Sequence, residues 1–427
     1  MKRQNGLFTD FVLAPSCITI MMGVSRHVTK NCEAGTRTGG VILQSLKEEN
    51  SRLLREDWHE KREVFRSLPE IVCLNHSNAC NLRCVTCWHH TGVPIHSIDL
   101  RDVERLCHQL FPTAQKVILT AAGEPLINDF EEILDLAHHY ETRIDLVTSC
   151  LDMTEERFRR SRGLLDVLHV SMDCPRKEGY ERVRIGSRYE QVMENLRMVK
   201  RIMDEEGKPF LYCCNAAILK STVQYLPEFV GFAKDLGFDL LRVQRLYKTH
   251  IGLEEEDILT EMPREELDAI IAETLAEAKR LNQYLALQSI GYPDFHGTHP
   301  LREEEPLLMS YRKNSVCWFV GQSISINHAG EAFACCNTTD LYLGNVLAQP
   351  VRKIWNGRAM QRLRHQFHTR KLNPFCRRCL LVNDNPEDER NFDFYKRKSR
   401  LHWFEIKKRM SKKLEAVLYG ARTKSAE

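Results

Sequence analysis

The sequence predicts an α/β fold: a partial (β/α)6 barrel followed by a small cysteine-rich domain. Three observations carry this. Short β-rich runs alternate with longer amphipathic runs from residue 70 to residue 246. A C-x3-C-x2-C group (Cys80, Cys84 and Cys87) follows directly on the first β-rich run. A second cysteine set lies beyond a Pro-, Gly- and His-bearing connector. Repeated β-α order implies parallel strands joined by helical crossovers. Six such units curve into an incomplete barrel, with an open doubly wound sheet as the alternative that pattern alone leaves standing.

In chain order, residues 1–68 form an N-terminal extension. Its apolar run Phe11–Val24 follows Lys2 and Arg3 but is interrupted by Asp10 and Pro15 and lacks a clear small-residue cleavage site. It is too short to span a bilayer, so a strand or a loosely packed extension is expected rather than a signal peptide. Residues 42–67 carry apolar positions at helical spacing among many charges and read as one surface helix. Residues 69–289 hold the barrel. Strands are expected at 70–75, 116–120, 143–148, 166–171, 210–219 and 240–246. Helices are expected near 98–111, 129–140, 154–163, 187–206, 223–236 and 264–285. A connector spans 290–314, the cysteine-rich domain 315–390 on short strands and loops, and a basic tail 391–427.

The chain has 427 residues, 43% hydrophobic and 28% charged, with a net charge of +3. That suits a soluble protein with a substantial core; no specific nucleic-acid partner is expected. Sixteen cysteines, most of them outside any short stapled framework, point to metal ligation in a reducing compartment, hence a cytoplasmic enzyme.

Three thiolates on the short loop CNLRCVTC can each reach a separate iron of a cubane and leave the fourth iron open. Electron-carrying clusters ordinarily use four cysteines. An open iron is what a substrate or cofactor needs in order to coordinate. Zinc is the alternative, with His89 or His90 as a fourth ligand. CNLRCVTC resembles the signature of the radical S-adenosylmethionine (SAM) superfamily, including the Asn-Leu-Arg filling. The resemblance implies a TIM-like partial barrel with a [4Fe–4S] cluster on Cys80, Cys84 and Cys87. The methionine amino and carboxylate groups of SAM would chelate the open iron. Reductive cleavage would then give a 5′-deoxyadenosyl radical that takes hydrogen from substrate. It also implies a flavodoxin- or ferredoxin-type electron donor and places Trp88 near adenine.

Further motifs stand at the C-terminal ends of the expected strands, where barrel enzymes build their sites. Ala122-Gly123-Glu124-Pro125 looks like the family's GGEP loop, which holds the methionine ammonium; Ala122 replaces its first glycine. Ser171-Met172-Asp173 is similar to the S-x-D that contacts ribose and carboxylate. Tyr180–Arg184 resembles a family element whose Arg pairs with the carboxylate, a role that suits a planar fork. Taken singly, each also fits a turn or cap. Thr148-Ser149-Cys150 stands where many relatives carry Thr-Asn-Gly.

The spacing Cys317, Gly330, Cys335 and then Cys376-x2-Cys379 resembles the C-terminal SPASM domain in its shorter twitch form. That implies four ligands (Cys317, Cys335, Cys376 and Cys379) around one auxiliary [4Fe–4S] cluster. Cys336 is the alternative to Cys335, and zinc the alternative to the cluster. Cysteines 17, 32, 73, 107, 150, 174, 213 and 214 lack ligand spacing and read as small buried residues; Cys174, beside the S-x-D, could instead line a substrate cavity. Between Phe394 and Lys413 nine residues are Lys or Arg, with Glu405 the one acid. The tail is a solvated terminal helix or a weak contact for an anionic membrane surface or acidic partner. The resemblance favours oxidation of a sugar- or cyclitol-type small molecule. The alternatives are modification of a peptide or protein and, from another class, a non-catalytic Fe–S or zinc protein.

Overall fold

Parallel strands covered on both faces need near-continuous apolar runs, and the chain supplies them. In the computed structural model, β1 (Ile71–Leu74) and β2 (Lys116–Leu119) are buried at every position. β3 is Arg143–Thr148, β4 Leu165–Ser171, β5 Leu211–Ile218 and β6 Leu240–Arg245. Only Ala217 of β5 is less than buried. The structure describes residues 37–87, 94–119, 123–246, 253–298, 317–336, 338 and 340–378. The N-terminal apolar run, Trp88, His89, His90, Cys379 and the basic tail lie outside them. The chain divides into two compact units, Met1–Lys371 and Leu372–Glu427.

The first unit holds one ten-stranded sheet in the order β10-β9-β8-β1-β2-β3-β4-β5-β6-β7. Neighbours from β1 to β7 are all parallel, with β7 (Tyr284–Ala286) closing the series beside β6. β8 (Ser323–Ile326) comes from the cysteine-rich region and pairs in parallel with β1, Ile71 opposite Ser323. β9 (Glu331–Phe333) and β10 (Tyr342–Asn345) extend that edge antiparallel. Two helices unforeseen among the short strands and loops, Val351–Trp355 and Arg358–His368, complete the region. Arg364 of the latter is fully buried over the rings of Phe65 and Trp355, 3.6 and 4.5 Å from their centroids.

The crossover helices form where expected. Leu100–Leu110 is capped by Asp99, which accepts from the Arg101 amide, and buries Val103, Leu106, Cys107 and Leu110 as one stripe. Thr154 caps Glu155–Arg162 through the Arg157 amide. Two expected spans are corrected. The first helix runs Arg37–His59 rather than 42–67. Lys61 takes a left-handed φ of 54°, and buried Asp57 then accepts from the Arg66 and Ser67 amides, folding residues 62–67 back as a loop. The helix Arg264–Leu281 stops before 285 because Asn282 adopts φ 49°, a left-handed cap after which the chain enters β7. Among the described residues no helix is long and apolar enough to cross a membrane.

The two faces of the sheet are told apart by their neighbours. Tyr212 of β5 stacks on Phe238 at 4.1 Å and meets Phe210, which in turn packs on Phe158 of the helix Glu155–Arg162. Side chains alternate along a strand, so Cys213 and Asn215 point to the opposite, concave face. There Val167, Leu211, Cys213, Leu240 and Ala286 make an apolar floor.

Candidate active site

The loop Cys80–Cys87 leaves the C-terminal end of β1 and is held by backbone pairing, with Asn81 Nδ2 donating to Asp152 Oδ2 at 2.6 Å. The Arg83 amide donates to the Ile185 carbonyl and the Val85 amide to the Val183 carbonyl, both at 2.8 Å. The Cys87 amide donates to the Cys84 carbonyl at 3.0 Å. Cys84 is buried, while Cys80 and Cys87 are partly exposed. The Leu82 amide points at the Cys80 sulfur from 3.4 Å, the kind of N–H···S contact that tunes a cluster's potential. Burial pushes the Cys80 thiol up to about 11 and the Cys84 thiol up to about 12, and the Arg184 cation pulls both back toward ionisation. Among the described residues no three Cys, His, Asp or Glu side chains converge on a point that would hold a single ion. In a cubane each of three irons would take one of these thiolates.

Beyond β2, Gly123 lies against the same loop. A Cβ there would overlap the Ala79 carbonyl oxygen, and the Glu124 amide donates to that oxygen at 2.9 Å. Pro125 opens a short turn, Pro125–Ile127, capped by Glu124. The Glu124 carboxylate is deeply buried. It accepts from the Thr148 hydroxyl at 2.7 Å, the Ser149 amide at 2.8 Å and the Leu126 amide at 3.3 Å. Burial raises its pKa, opposed by these donors. The Ser149 hydroxyl adds a further donor to the same carboxylate. The end of β3 thus supports the β2 loop, which is what Thr148-Ser149 contributes. Cys150 takes φ 64°, the left-handed region glycine enters freely, where the family pattern has Gly.

At the end of β4, Ser171 is partly exposed, and its neighbour Asp173 is buried. Asp173 accepts from the Ala217 amide at 2.8 Å and lies 3.0 Å from Arg184 Nε as an ion pair, without the alignment of a hydrogen bond. Arg184 Nη1 is 3.9 Å from Cys84 Sγ. Burial works against the Arg184 charge, but Asp173, Cys84 and Tyr180 outweigh it and raise its pKa. The structure therefore brings together Cys84, Asp173 and Arg184, and separately Gly123 and Glu124 against the segment before Cys80. Cys174 is fully buried with its sulfur against Gly179, a packing role.

Of the second cysteine set, Cys317 precedes the short helix Trp318–Gln322, and Cys335 and Cys336 follow β9; all three are buried. In the second unit the Cys376 amide donates to Asn373 Oδ1 at 2.9 Å, and Cys376 begins a single turn, Cys376–Arg378. The sequence placed Thr148 in a family-like triplet without a role, and sequence reasoning passed over Asn195, His169, Asn215 and Arg242. Asn195 donates to the Cys150 and Leu151 carbonyls at 2.8 and 2.9 Å, fixing the β3 end. A polar residue inside an apolar strand or helix face was the only available signal for these.

Residues 74–213 match the radical SAM superfamily model, and residues 317–380 match an iron–sulfur cluster-binding domain model, SPASM. A curated relative, GTP 3′,8-cyclase of Limosilactobacillus fermentum, is 22% identical over 182 residues, 40% of this chain and 52% of the cyclase. The match thus spans about half of that relative. SuiB of Streptococcus suis bound to SAM superposes with a TM-score of 0.53 at 14% identity, covering 78% of this chain and 75% of SuiB. SuiB bound to precursor peptide SuiA gives 0.53 at 14%, covering 86% and 80%. At such identity the likeness carries the fold: a TIM-like partial barrel. The two family matches bring with them a [4Fe–4S] cluster with SAM and an auxiliary iron–sulfur cluster. With a cysteine loop stitched to Arg184 and these two matches in sequence, the chain carries a radical SAM superfamily segment at residues 74–213 and a SPASM-type iron–sulfur domain at 317–380.

Proposed function

We propose that this chain oxidises a substrate seated on the concave face of its sheet by taking a hydrogen atom from it. The carrying observation is that Arg184 bridges Asp173 and Cys84 while backbone bonds tie its segment to the cysteine loop. When bound at Cys80, Cys84 and Cys87, the cluster supplies the electron that cleaves SAM to the 5′-deoxyadenosyl radical. Arg184 would fork the methionine carboxylate beside Asp173. Glu124 would face the methionine ammonium, with Gly123 and Pro125 shaping the loop. Ser171 would meet the ribose and Trp88 the adenine. Cys317, Cys335, Cys376 and Cys379 would hold the auxiliary cluster, which would accept the electron left when the substrate has lost a hydrogen atom and a proton.

In this reading residues 69–289 carry the radical chemistry and 315–390 the electron sink, in the cytoplasm, with reduction by a flavodoxin- or ferredoxin-type donor. A sugar- or cyclitol-type small molecule was the first substrate class the sequence suggested. The precursor peptide in the SuiB complex makes a peptide the other class to test.

Replacing Cys317 and Cys335 together by Ala tests the division of labour. Iron in the reconstituted protein should fall from about eight to about four per chain, with 5′-deoxyadenosine still formed under dithionite. Loss of all iron and of 5′-deoxyadenosine would contradict two separate clusters.

A further inference from the structure

On the concave face, the ladder aligns Ser171 of β4 with Asn215 of β5 and Asn215 with Arg242 of β6. Residues paired in a parallel ladder point to the same face. Arg242 therefore shares the face of Ser171, two strands away, at roughly 10 Å. His169 stands one row deeper, opposite Cys213. Arg242 is 5% exposed, and among the described residues no carboxylate stands within 4 Å of it; burial works against its charge and outweighs Asp294 and Tyr284, which favour it from farther off. Its one hydrogen bond runs from Nη1 to Asn215 Oδ1 at 3.4 Å, and its Nε has none. His169, 1% exposed, makes no well-aligned hydrogen bond at either ring nitrogen; the Asn215 side chain lies beside it, and burial and Arg242 disfavour its protonation.

Buried guanidinium groups are ordinarily paired, because an uncompensated charge in the interior is strongly disfavoured. The interior guanidiniums elsewhere in the barrel follow that rule: Arg184 has Asp173, and Arg245 has Asp257 at 3.0 Å. Arg242 and His169 form the exception, and they sit beside the apolar floor on the face that Ser171 shares. Five N–H donors with one long bond between them match an oxyanion, which a guanidinium fork binds through two parallel bonds.

We propose that Arg242, backed by Asn215 and His169, anchors an anionic oxygen group of the substrate, a carboxylate or a phosphate. The inference rests on the reading above that the concave face receives the substrate. It refines that reading: the substrate presents an anion to β6 and its reacting carbon toward Ser171.

The experiment measures thermal unfolding of the reconstituted full chain against sodium succinate and inorganic phosphate at fixed ionic strength. Wild type, Arg242→Met and Arg242→Lys are compared. Wild type should gain about 2 °C or more with at least one anion, and the responding anion identifies the group as carboxylate or phosphate. Arg242→Met should lose that gain and, without anion, melt no lower than wild type, since an unpaired buried charge has been replaced by an apolar chain. Arg242→Lys should keep part of the gain. No gain in wild type with either anion, or a gain that persists in Arg242→Met, overturns the proposal. So does a lower melting point of Arg242→Met without anion, which would mark a purely structural arginine. The readout needs no turnover: absent SAM cleavage by wild type would defeat the proposed function, not this assignment.

Discussion

Arg184→Leu is expected to unfold at markedly lower denaturant and to bind SAM about 10–100-fold more weakly, the loss that follows from removing a charged hydrogen-bond partner worth about 1.5–3 kcal/mol. Both effects have one origin. Asp173 is 1% exposed, and without Arg184 its carboxylate keeps only the Ala217 amide. Breaking a buried ion pair from one side costs about 3–5 kcal/mol, because the surviving charge stays in the interior. The Arg184 side chain is itself 11% exposed, so solvent gives little relief. Arg184→Lys restores the charge without the planar fork. It should recover most of the stability and less of the SAM affinity. Equilibrium unfolding and SAM titration of the reconstituted protein read the two effects apart. A folded Arg184→Leu protein with unchanged SAM affinity would remove Arg184 from the cofactor site.

Gly123→Ala is the second large effect. The added Cβ would overlap the Ala79 carbonyl oxygen and come within 2.9 Å of the Asn78 carbonyl carbon. These are backbone atoms, so no rotamer change relieves the clash. The chain must shift, at about 1–3 kcal/mol, and loss of the Glu124–Ala79 hydrogen bond adds about 1 kcal/mol. Ala79 precedes Cys80, so the shift reaches the cysteine loop. Lower iron content after reconstitution should accompany the lower melting point. Gly163→Ala is the control: nothing lies within 4 Å of its Cβ position and its φ is −67°. Equal effects at both positions would show that the close approach at Gly123 does not matter.

What was legible in the sequence follows from range. A strand buried on both faces writes itself as an apolar run, and β1 to β6 lie within a residue or two of where such runs fall. Three thiolates for one cluster must be local, so CNLRCVTC could be read directly. The backbone pairing of β8 with β1 joins residues about 250 positions apart and leaves no local trace. Thr148 supports Glu124 from 24 residues away, and nothing in Thr148-Ser149 alone announces it. Cys150 hides a glycine-like backbone behind a side chain. Arg242 looked like one more charge in a short strand; only the β4–β5–β6 register puts it in line with Ser171. The helix ends misjudged at 59 and 281 depended on Lys61 and Asn282 turning left-handed, which neither residue type demands.

The central claim is that Cys80, Cys84 and Cys87 carry the cluster that cleaves SAM. Anaerobic reconstitution with iron and sulfide, followed by dithionite and SAM, tests it by quantifying 5′-deoxyadenosine for wild type and for the variant with all three cysteines replaced by Ala. The account predicts about eight irons per chain and 5′-deoxyadenosine from wild type, and about four irons with none from the variant. Cleavage that persists in the variant, or wild type that takes up zinc and forms no 5′-deoxyadenosine, would contradict it.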